Sequence, residues 1–446
     1  MGLSVYRGFY KRNLMLAFPV MMSQAGQVIV QQVDNIMVGA VGTTELAASS
    51  FANSVFIIGM TLGMGFTFGL TPLVGHAWAT GNHRQAGALL RNSMVANMVG
   101  GLLLMLLLYG VSFFMDNMGQ PDAVAQLAIP YYRLLVLSLL PFLLFFTFKQ
   151  FSEGLGNTKV AMYITLFVNV VNVVLNYLLI FGHWGFPAMG LDGAGVSTLV
   201  ARILMPVIFV GFFLQNDRFR RYLVWFRHAR TQTLMIKEII SVGWPIGVQM
   251  LLEVTAFAMS CVMAGWIGEI PLAAHQIALG LSSVAYMIVT GIGSGTTIRV
   301  SHQYSAGNFH DMRMAANASI HLVLAFMTLT AISFFSFRFF LPTLYTNNPE
   351  VIKLAGSLII FAGIFQLFDG LQVVLLGALR GLADVKRPMI YCFFAYFVVN
   401  MPVSYFFAFV LDWGTPGIWV GFVLGLGLAA MFFYYRFKKL NRNIIG

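Results

Sequence analysis

Residues 245–268, with the sequence PIGVQMLLEVTAFAMSCVMAGWIG, form an almost wholly apolar segment that carries one carboxylate, Glu253, near its middle. A transmembrane helix needs roughly 20 apolar residues, so a segment of this length predicts a helix that spans a membrane. An ionisable side chain at the centre of such a helix costs on the order of 3 kcal/mol to bury, and such residues usually mark an ion or substrate pathway. Glu253 is therefore the first candidate functional residue.

This segment has a counterpart in the first half of the chain, 226 residues earlier. At this constant offset several residues match: Pro245 with Pro19, Gly265 with Gly39, Gly268 with Gly42, Leu272–Ala274 with Leu46–Ala48, and Gly307–Asn308 with Gly81–Asn82. The buried charges do not match, because Glu253 aligns with Gln27. Likewise, Asp34 aligns with Ser260. The chain therefore contains a duplicated half, and we expect the function to lie where the two copies differ.

Composition predicts the class of protein. Of the 446 residues, 59% are hydrophobic and 9% are charged, whereas soluble proteins carry about 25% charged residues. A chain with so few charges cannot cover a globular surface with polar groups, which excludes a soluble globular protein. We predict an all-α polytopic membrane protein.

Twelve apolar runs are long enough to span a membrane: 13–38, 46–77, 88–113, 126–148, 160–181, 191–214, 238–266, 272–298, 315–340, 351–379, 388–411 and 415–437. The longest polar connector separates six runs from six. The predicted domains are a six-helix bundle over residues 1–215, a cytoplasmic linker over 216–237 and a second six-helix bundle over 238–446. Because each half has an even number of spans, we expect a pseudo-two-fold axis along the membrane normal to relate the bundles, as in transporters that work by alternating access.

The net charge of +11 follows from membrane topology and does not indicate a nucleic-acid partner. Lys and Arg, Lys149 and Arg380 among them, concentrate in alternate connectors. This positive-inside pattern places both termini in the cytoplasm. The sequence has no Walker A motif, which excludes an ATP-driven pump with its motor in this chain. Cys261 and Cys392 show neither disulfide nor metal spacing.

Three carboxylates are expected deep within spans. Of the 15 acids, twelve, including Glu153, lie in connectors or near span ends, and the others are Asp34, Glu253 and Asp369. Such a group can hold a proton or, when ionised, bind Na⁺ through its oxygens, and either state biases the conformations that the helices prefer. The alternative is that each carboxyl group is protonated and only makes a hydrogen bond in a helix contact.

Polar side chains in the first half are expected to surround Asp34. Asn172 and Asn176 are four residues apart, on one face of a helix, and Thr198 lies in the next span. Together these residues predict an oxygen-rich pocket. The alternative is that the asparagines hydrogen-bond neighbouring helices and hold them together.

Longer motifs resemble those of the multidrug and toxic compound extrusion (MATE) family, most nearly its NorM-type bacterial branch. The resemblance covers nearly the whole chain and rests on these segments: VDNIMVG (33–39), LTPLVGHAWATGN (70–82), EGLGNTK (153–159), GAG (193–195), LLEVTAFA (251–258), AAHQIAL (273–279), TIRVSHQYSAGN (297–308) and FDGLQVVLLGALRGLADVKRP (368–388).

The resemblance implies that the protein is a secondary antiporter and that it is not an enzyme. It would export organic cations, drugs among them, in exchange for Na⁺ or H⁺, with no cofactor beyond that coupling cation. Glu253 and Asp369 would form a second-half cation site, with Na⁺ as the possible metal, and Asp34 with the two asparagines and Thr198 a first-half site. The resemblance also implies a monomer among the lipids of a bacterial inner membrane.

One residue departs from the family pattern. Members of the branch can carry Tyr four residues before the second-half Asp, where this chain has Phe365, so a hydroxyl ligand is missing.

A flippase for a lipid-linked precursor is the alternative function, but it would need a basic cleft, and the spans offer only Arg202 and Arg133. An intramembrane enzyme would need a second catalytic group at useful spacing, which the sequence lacks.

Overall fold

The computed structural model describes residues 3–445, and over this range it contains helices and no β-strand. The α-helices are α1 (Arg7–Val41), α2 (Thr43–Thr67), α3 (Leu70–Ala79), α4 (His83–Val111), α5 (Asp122–Leu137), α6 (Leu139–Gly154), α7 (Lys159–Phe181), α8 (Leu191–Gln215), α9 (Asp217–His228), α10 (Thr233–Ile267), α11 (Glu269–Ser305), α12 (Phe309–Phe337), α13 (Pro349–Gly381), α14 (Lys386–Phe393), α15 (Met401–Tyr405) and α16 (Thr415–Ile445). Two π-helical segments, Phe394–Asn400 and Phe406–Val410, flank α15, and three 3₁₀ turns lie at Leu3–Tyr6, Met115–Asn117 and Leu341–Leu344.

Twelve helical stretches of the described chain are long and apolar enough to cross a membrane, and they coincide with the twelve predicted runs. Three of them are interrupted: Thr43–Ala79 joins α2 and α3, Asp122–Gly154 joins α5 and α6, and Lys386–Val410 contains α14, α15 and both π-helical segments. The prediction of an all-α membrane protein with twelve spans is confirmed.

By its contacts the chain groups into two compact units. The first-half unit is Met22–Gly247, and the second-half unit combines the segment that ends at Met21 with the segment that begins at Val248. The predicted linker, 216–237, contains helix α9 and belongs to the first-half unit. The predicted domain bounds 1–215, 216–237 and 238–446 stay a prediction, and residues 1, 2 and 446 lie outside the described range.

Both boundaries between the units fall inside long helices, just beyond an internal proline. Pro19 lies in α1 and Pro245 in α10, at equivalent positions of the repeat. A proline removes one backbone N–H from the hydrogen bonds of the helix. The helix can therefore bend there and pack against different helices before and after the proline. Ahead of Pro19, for example, Asn13 Nδ2 donates to the Ala315 carbonyl and to Ser319 Oγ, both at 2.8 Å, within the second-half unit.

Glycines allow very close helix contacts within each unit. In the first-half unit, a Cβ on Gly69 would lie 2.7 Å from the backbone nitrogen of Gly243. In the second-half unit, a Cβ on Gly377 would lie 2.4 Å from the carbonyl oxygen of Gly293. Helices α11 and α13 therefore meet backbone to backbone, and this contact fixes α13, the helix that carries Asp369.

Gly377→Ala is expected to destabilise the protein by about 1–3 kcal/mol, because the new methyl group would overlap the Gly293 carbonyl oxygen. Gly100→Ala in α4 is the matched control, since a Cβ there meets nothing within 4 Å. Differential scanning fluorimetry of the purified variants in detergent measures the effect as a lower melting temperature. Equal melting temperatures for Gly377→Ala, Gly100→Ala and wild type would contradict this close contact.

Candidate functional site

A cavity of about 260 Å³ within the second-half unit brings together two of the three predicted carboxylates, Glu253 of α10 and Asp369 of α13. We call it the second-half cavity; its other lining residues are Met250, Val254, Phe257, Leu279, Ser282, Ser283, Tyr286 and Phe365. Glu253 is 8% exposed and Asp369 3% exposed. The Oε1 atom of Glu253 and the Oδ1 atom of Asp369 are buried without a hydrogen-bond partner. Such oxygens can take up a proton or a cation.

A short chain of hydrogen bonds connects Glu253 to a guanidinium group. Arg380 donates to Gln249 Oε1, and Gln249 Nε2 donates to Glu253 Oε2 at 3.4 Å. Placing Arg380 among the connector cations was wrong in one respect: it lies in the last turn of α13 and is only partly exposed. The amide of Gln249 therefore holds one carboxyl oxygen of Glu253 and leaves the other available.

Aromatic rings enclose Phe365, the position at which the chain departs from the family pattern. The Phe365 ring centroid lies 5.5 Å from that of Trp419, 5.8 Å from that of Phe422 and 6.2 Å from that of Phe257. Phe257 and Phe422 are stacked at 5.0 Å. A phenyl ring suits this apolar enclosure because it has no hydroxyl group that needs a partner. The wall of the second-half cavity here is aromatic and without polar groups.

A second cavity, of about 190 Å³, lies within the first-half unit and is lined by Asp34, Asn172 and Thr198. We call it the first-half cavity. Asn176 Nδ2 donates to Asp34 Oδ1 and also to Asn172 Oδ1, the latter at 3.4 Å. Both asparagines are buried. The four residues that the sequence grouped are thus together, and the amide of Asn176 occupies one oxygen of the carboxyl group.

Arg202 lines the same first-half cavity, and the site prediction missed it. Its guanidinium group donates to Ser138 Oγ at 2.8 Å and lies 4.5 Å from the ring centroid of Phe142 and 5.3 Å from that of Phe56. Hydrogen bonding and cation–π contacts of this kind stabilise a partly buried cation such as Arg202. Arg202 could have been found from the sequence, because it is an isolated charge in an apolar span. It was considered only as one of the basic groups that a flippase would need.

The two cavities occupy equivalent positions in the repeat. The following pairs are 226 residues apart, and each member lines the cavity of its own unit: Gln27 and Glu253, Gln31 and Phe257, Asn53 and Leu279, Met60 and Tyr286. Phe142 and Asp369 form a further pair, 227 residues apart, as are Gly154 and Gly381. The duplicated fold therefore forms the same cavity twice, with different polar groups.

A third buried carboxyl group, besides those of Glu253 and Asp369, lies outside both cavities. Glu153 and Lys149, both on α6, are each 3% exposed and form an ion pair with 3.8 Å between Nζ and Oε1. The Lys149 ammonium group also lies 4.9 Å from the Phe146 ring centroid. The sequence placed Glu153 near a span end and Lys149 in a connector; the end of α6 is instead covered by protein.

Nothing in the described chain resembles a metal centre of His, Cys, Asp and Glu: no group of three or more such residues is arranged to hold an ion. The second-half cavity supplies two carboxylates, and its remaining oxygen donors are the hydroxyl groups of Ser282, Ser283 and Tyr286. This all-oxygen set fits a hard cation better than a transition metal.

Comparison with known proteins gives consistent matches over nearly the whole chain. The family model described as MatE matches residues 19–178 and 245–406, one match in each copy of the repeat. The probable multidrug resistance protein NorM of Rhizobium meliloti is 35% identical, with 98% of this chain and 94% of the relative covered. The protein of the same name from Agrobacterium fabrum is 32% identical, with 97% and 94% covered. The Vibrio cholerae MATE transporter VcmN in its bent form shares the fold at a TM-score of 0.87, with 18% identity and 99% of each chain covered.

Lys149→Met is expected to destabilise the protein by on the order of 3 kcal/mol, because Glu153 would remain buried without its cation. Replacing both residues, Lys149→Met with Glu153→Met, should recover most of that stability, since no buried charge is left unpaired. Melting temperatures of the two single variants and the double variant test the coupling. A double variant as unstable as the sum of the single variants would contradict a buried ion pair.

Proposed function

Because the chain belongs to the MatE family, we propose that it exports organic cations, including drugs, through a bacterial inner membrane in exchange for Na⁺ or H⁺. The observation that carries the proposal is the second-half cavity, where Glu253 and Asp369 each keep a buried oxygen without a partner. Its further support is that both relatives described above are named as probable multidrug resistance proteins.

Competition for the two carboxyl groups would couple the two ligands. An oxygen that holds Na⁺ or a proton cannot at the same time attract an organic cation, so binding of one favours release of the other. Each ligand also shifts the population of conformations toward the one that binds it better, as alternating access requires. Phe257 and Tyr286 offer ring faces to a cationic substrate, and Met250 offers a flexible, polarisable contact.

The two cavities suit different coupling ions. In the first-half cavity the cationic Arg202 shares the space with Asp34, which works against a bound metal ion. A proton on Asp34 adds no ion to the cavity, so we assign H⁺ to this site. The second-half cavity has two acids and no basic residue among its lining residues, and we assign Na⁺ to it.

The same charge distribution disfavours a flippase for a lipid-linked precursor. A diphosphate needs basic groups around it, and the second-half cavity offers acids instead. We further propose, from the positive-inside pattern, that both termini lie in the cytoplasm and that the transporter acts as a monomer.

Glu253→Gln and Asp369→Asn are each expected to reduce Na⁺-driven transport by about tenfold or more, in keeping with the 1–3 kcal/mol that typically couples two binding sites. The measurement is dye efflux from liposomes that contain the purified protein, under an imposed Na⁺ gradient, an imposed proton gradient or none. Glu350→Gln is the matched control, because it removes an exposed carboxylate from the first turn of α13, the helix that carries Asp369.

Na⁺-driven transport that survives in both Glu253→Gln and Asp369→Asn would contradict a coupling role for the second-half carboxyl groups. Asp34→Asn provides the comparison for the first-half cavity: loss of proton-driven but not Na⁺-driven efflux is expected. A wild-type protein that moves no organic cation under either gradient would refute the proposed function.

Na⁺ is expected to stabilise the wild-type protein specifically. At about 100 times its Kd, a ligand that binds only the folded state adds about 2.7 kcal/mol of stability. Melting temperatures in NaCl and in KCl of equal ionic strength should therefore differ for wild type and Asp34→Asn, and should coincide for Asp369→Asn. Equal melting temperatures in the two salts for wild type would rule out the Na⁺ assignment.

A further inference from the structure

A third cavity, of about 230 Å³, lies in the first-half unit and shares no lining residue with either carboxylate cavity. Arg84, His228 and Arg230 supply three basic side chains, and Ala88, Trp225, Ala229 and Gln232 complete the lining, so none of the residues around it is acidic. We propose that this basic cavity binds the phosphate group of an anionic phospholipid.

Close packing holds the walls of the basic cavity in place. A Cβ on Gly87 of α4 would lie 2.6 Å from the Cβ of Trp225, so α9 rests directly on α4. Arg91 donates to the carbonyl oxygens of Phe226 and Arg227, at 3.2 and 3.5 Å, and so satisfies the C-terminal end of α9. These contacts make the cavity a defined space between two helices.

The loop after α9 is fixed in the same way. Asn92 Oδ1 accepts a hydrogen bond from the backbone nitrogen of Gln232 at 2.7 Å, and Asn92 Nδ2 donates to the Arg230 carbonyl at 3.5 Å. The backbone that carries Arg230 is therefore tied to α4, the helix that carries Arg84. The two guanidinium groups belong to one site although they are far apart in the sequence.

These two guanidinium groups are available for a ligand. Within residues 3–445, neither Arg84 nor Arg230 has a recorded ion pair or side-chain hydrogen bond, in contrast to Arg91, whose guanidinium group caps α9. The planar fork of arginine fits two phosphate oxygens at once. His228 uses Nδ1 for the Val224 carbonyl, at 2.7 Å, which leaves Nε2 free to face a ligand. Two forks without acidic partners form an anion site.

The position of the basic cavity favours a lipid over a soluble phosphate. Its residues lie where the candidate spans starting at His83 and Thr233 begin and where the span Leu191–Gln215 has just ended, so the cavity lies at a membrane boundary. Large apolar side chains of the lining and of nearby sequence positions are exposed: Trp225 of the lining is 39% exposed, and Val224 and Leu234, close to lining residues in sequence, are 49% and 81% exposed. Acyl chains can cover these side chains while the phosphate binds the arginines, whereas a soluble phosphate would leave them in water.

The test is native mass spectrometry of the full-length protein in detergent, titrated with phosphatidylglycerol, phosphatidylcholine or glycerol 3-phosphate. Wild type is expected to retain phosphatidylglycerol in preference to phosphatidylcholine, and glycerol 3-phosphate should not displace it. Arg84→Gln combined with Arg230→Gln should weaken phosphatidylglycerol binding roughly tenfold or more, because each arginine near an anionic headgroup contributes to binding.

The matched control is Arg218→Gln combined with Arg220→Gln, which removes the same charge from exposed positions of α9 outside the cavity lining. Exposed charges at a distance are screened, so a change of less than about twofold is expected. Arg84→Lys combined with Arg230→Lys keeps the two positive charges but removes both planar forks, so binding between that of wild type and that of the glutamine pair is expected.

Three results would overturn the proposal: equal losses in the two glutamine pairs, equal binding of phosphatidylcholine, or displacement by glycerol 3-phosphate, which would make the ligand a soluble phosphate. If the glutamine variant does not fold, the wild-type protein provides the test. In vesicles of equal parts photoreactive phosphatidylglycerol and phosphatidylcholine, the photoreactive lipid should label residues 84–88 or 225–232. Labelling only elsewhere would overturn the proposal. None of these measurements depends on transport.

Discussion

The arrangement of both carboxylate cavities depends on one constraint, the free-energy cost of placing ionisable side chains among apolar helices. A charge at a span centre costs on the order of 3 kcal/mol, and the chain offsets that cost by giving three of its carboxyl groups a partner. Asn176 donates to Asp34, Gln249 donates to Glu253, and Lys149 pairs with Glu153. In the second-half cavity the compensation is incomplete, because one oxygen of Glu253 and one of Asp369 remain buried without a partner. A proton or cation bound at these oxygens would supply the partner that the protein itself does not provide.

Duplication explains how two such sites arose in one chain. Equivalent positions line the cavity in each unit, so a change of function in one half needs only substitutions and no new backbone. Gln27 corresponds to Glu253 and Phe142 to Asp369. The second copy thereby has two acids where the first has an amide and a phenyl ring. Arg202 adds a basic residue to the first-half lining, whereas the second-half lining has none.

The sequence predicted the spans well, because they depend on the cost of polarity in an apolar surrounding, which hydropathy measures directly; the functional role of the carboxylates stays a prediction. Asp34, Glu253 and Asp369 were selected by depth alone, and each lines a cavity. Packing was harder to predict. Hydropathy cannot distinguish a helix face that meets lipid from one that meets protein, because both are apolar. Lys149 and Glu153 therefore looked like exposed groups at a span end.

Basic residues near a membrane boundary have two separable roles, and the structure distinguishes them. Charges that only set the orientation of the chain need to lie in the correct connector, and no fixed geometry is required of them. Arg84 and Arg230 come from two different connectors yet line one cavity. The close approach of α4 and α9 at Gly87, together with the hydrogen bonds of Asn92, holds that cavity in shape. Topology alone would not require such specific packing, so these arginines are better explained as a binding site than as orientation signals.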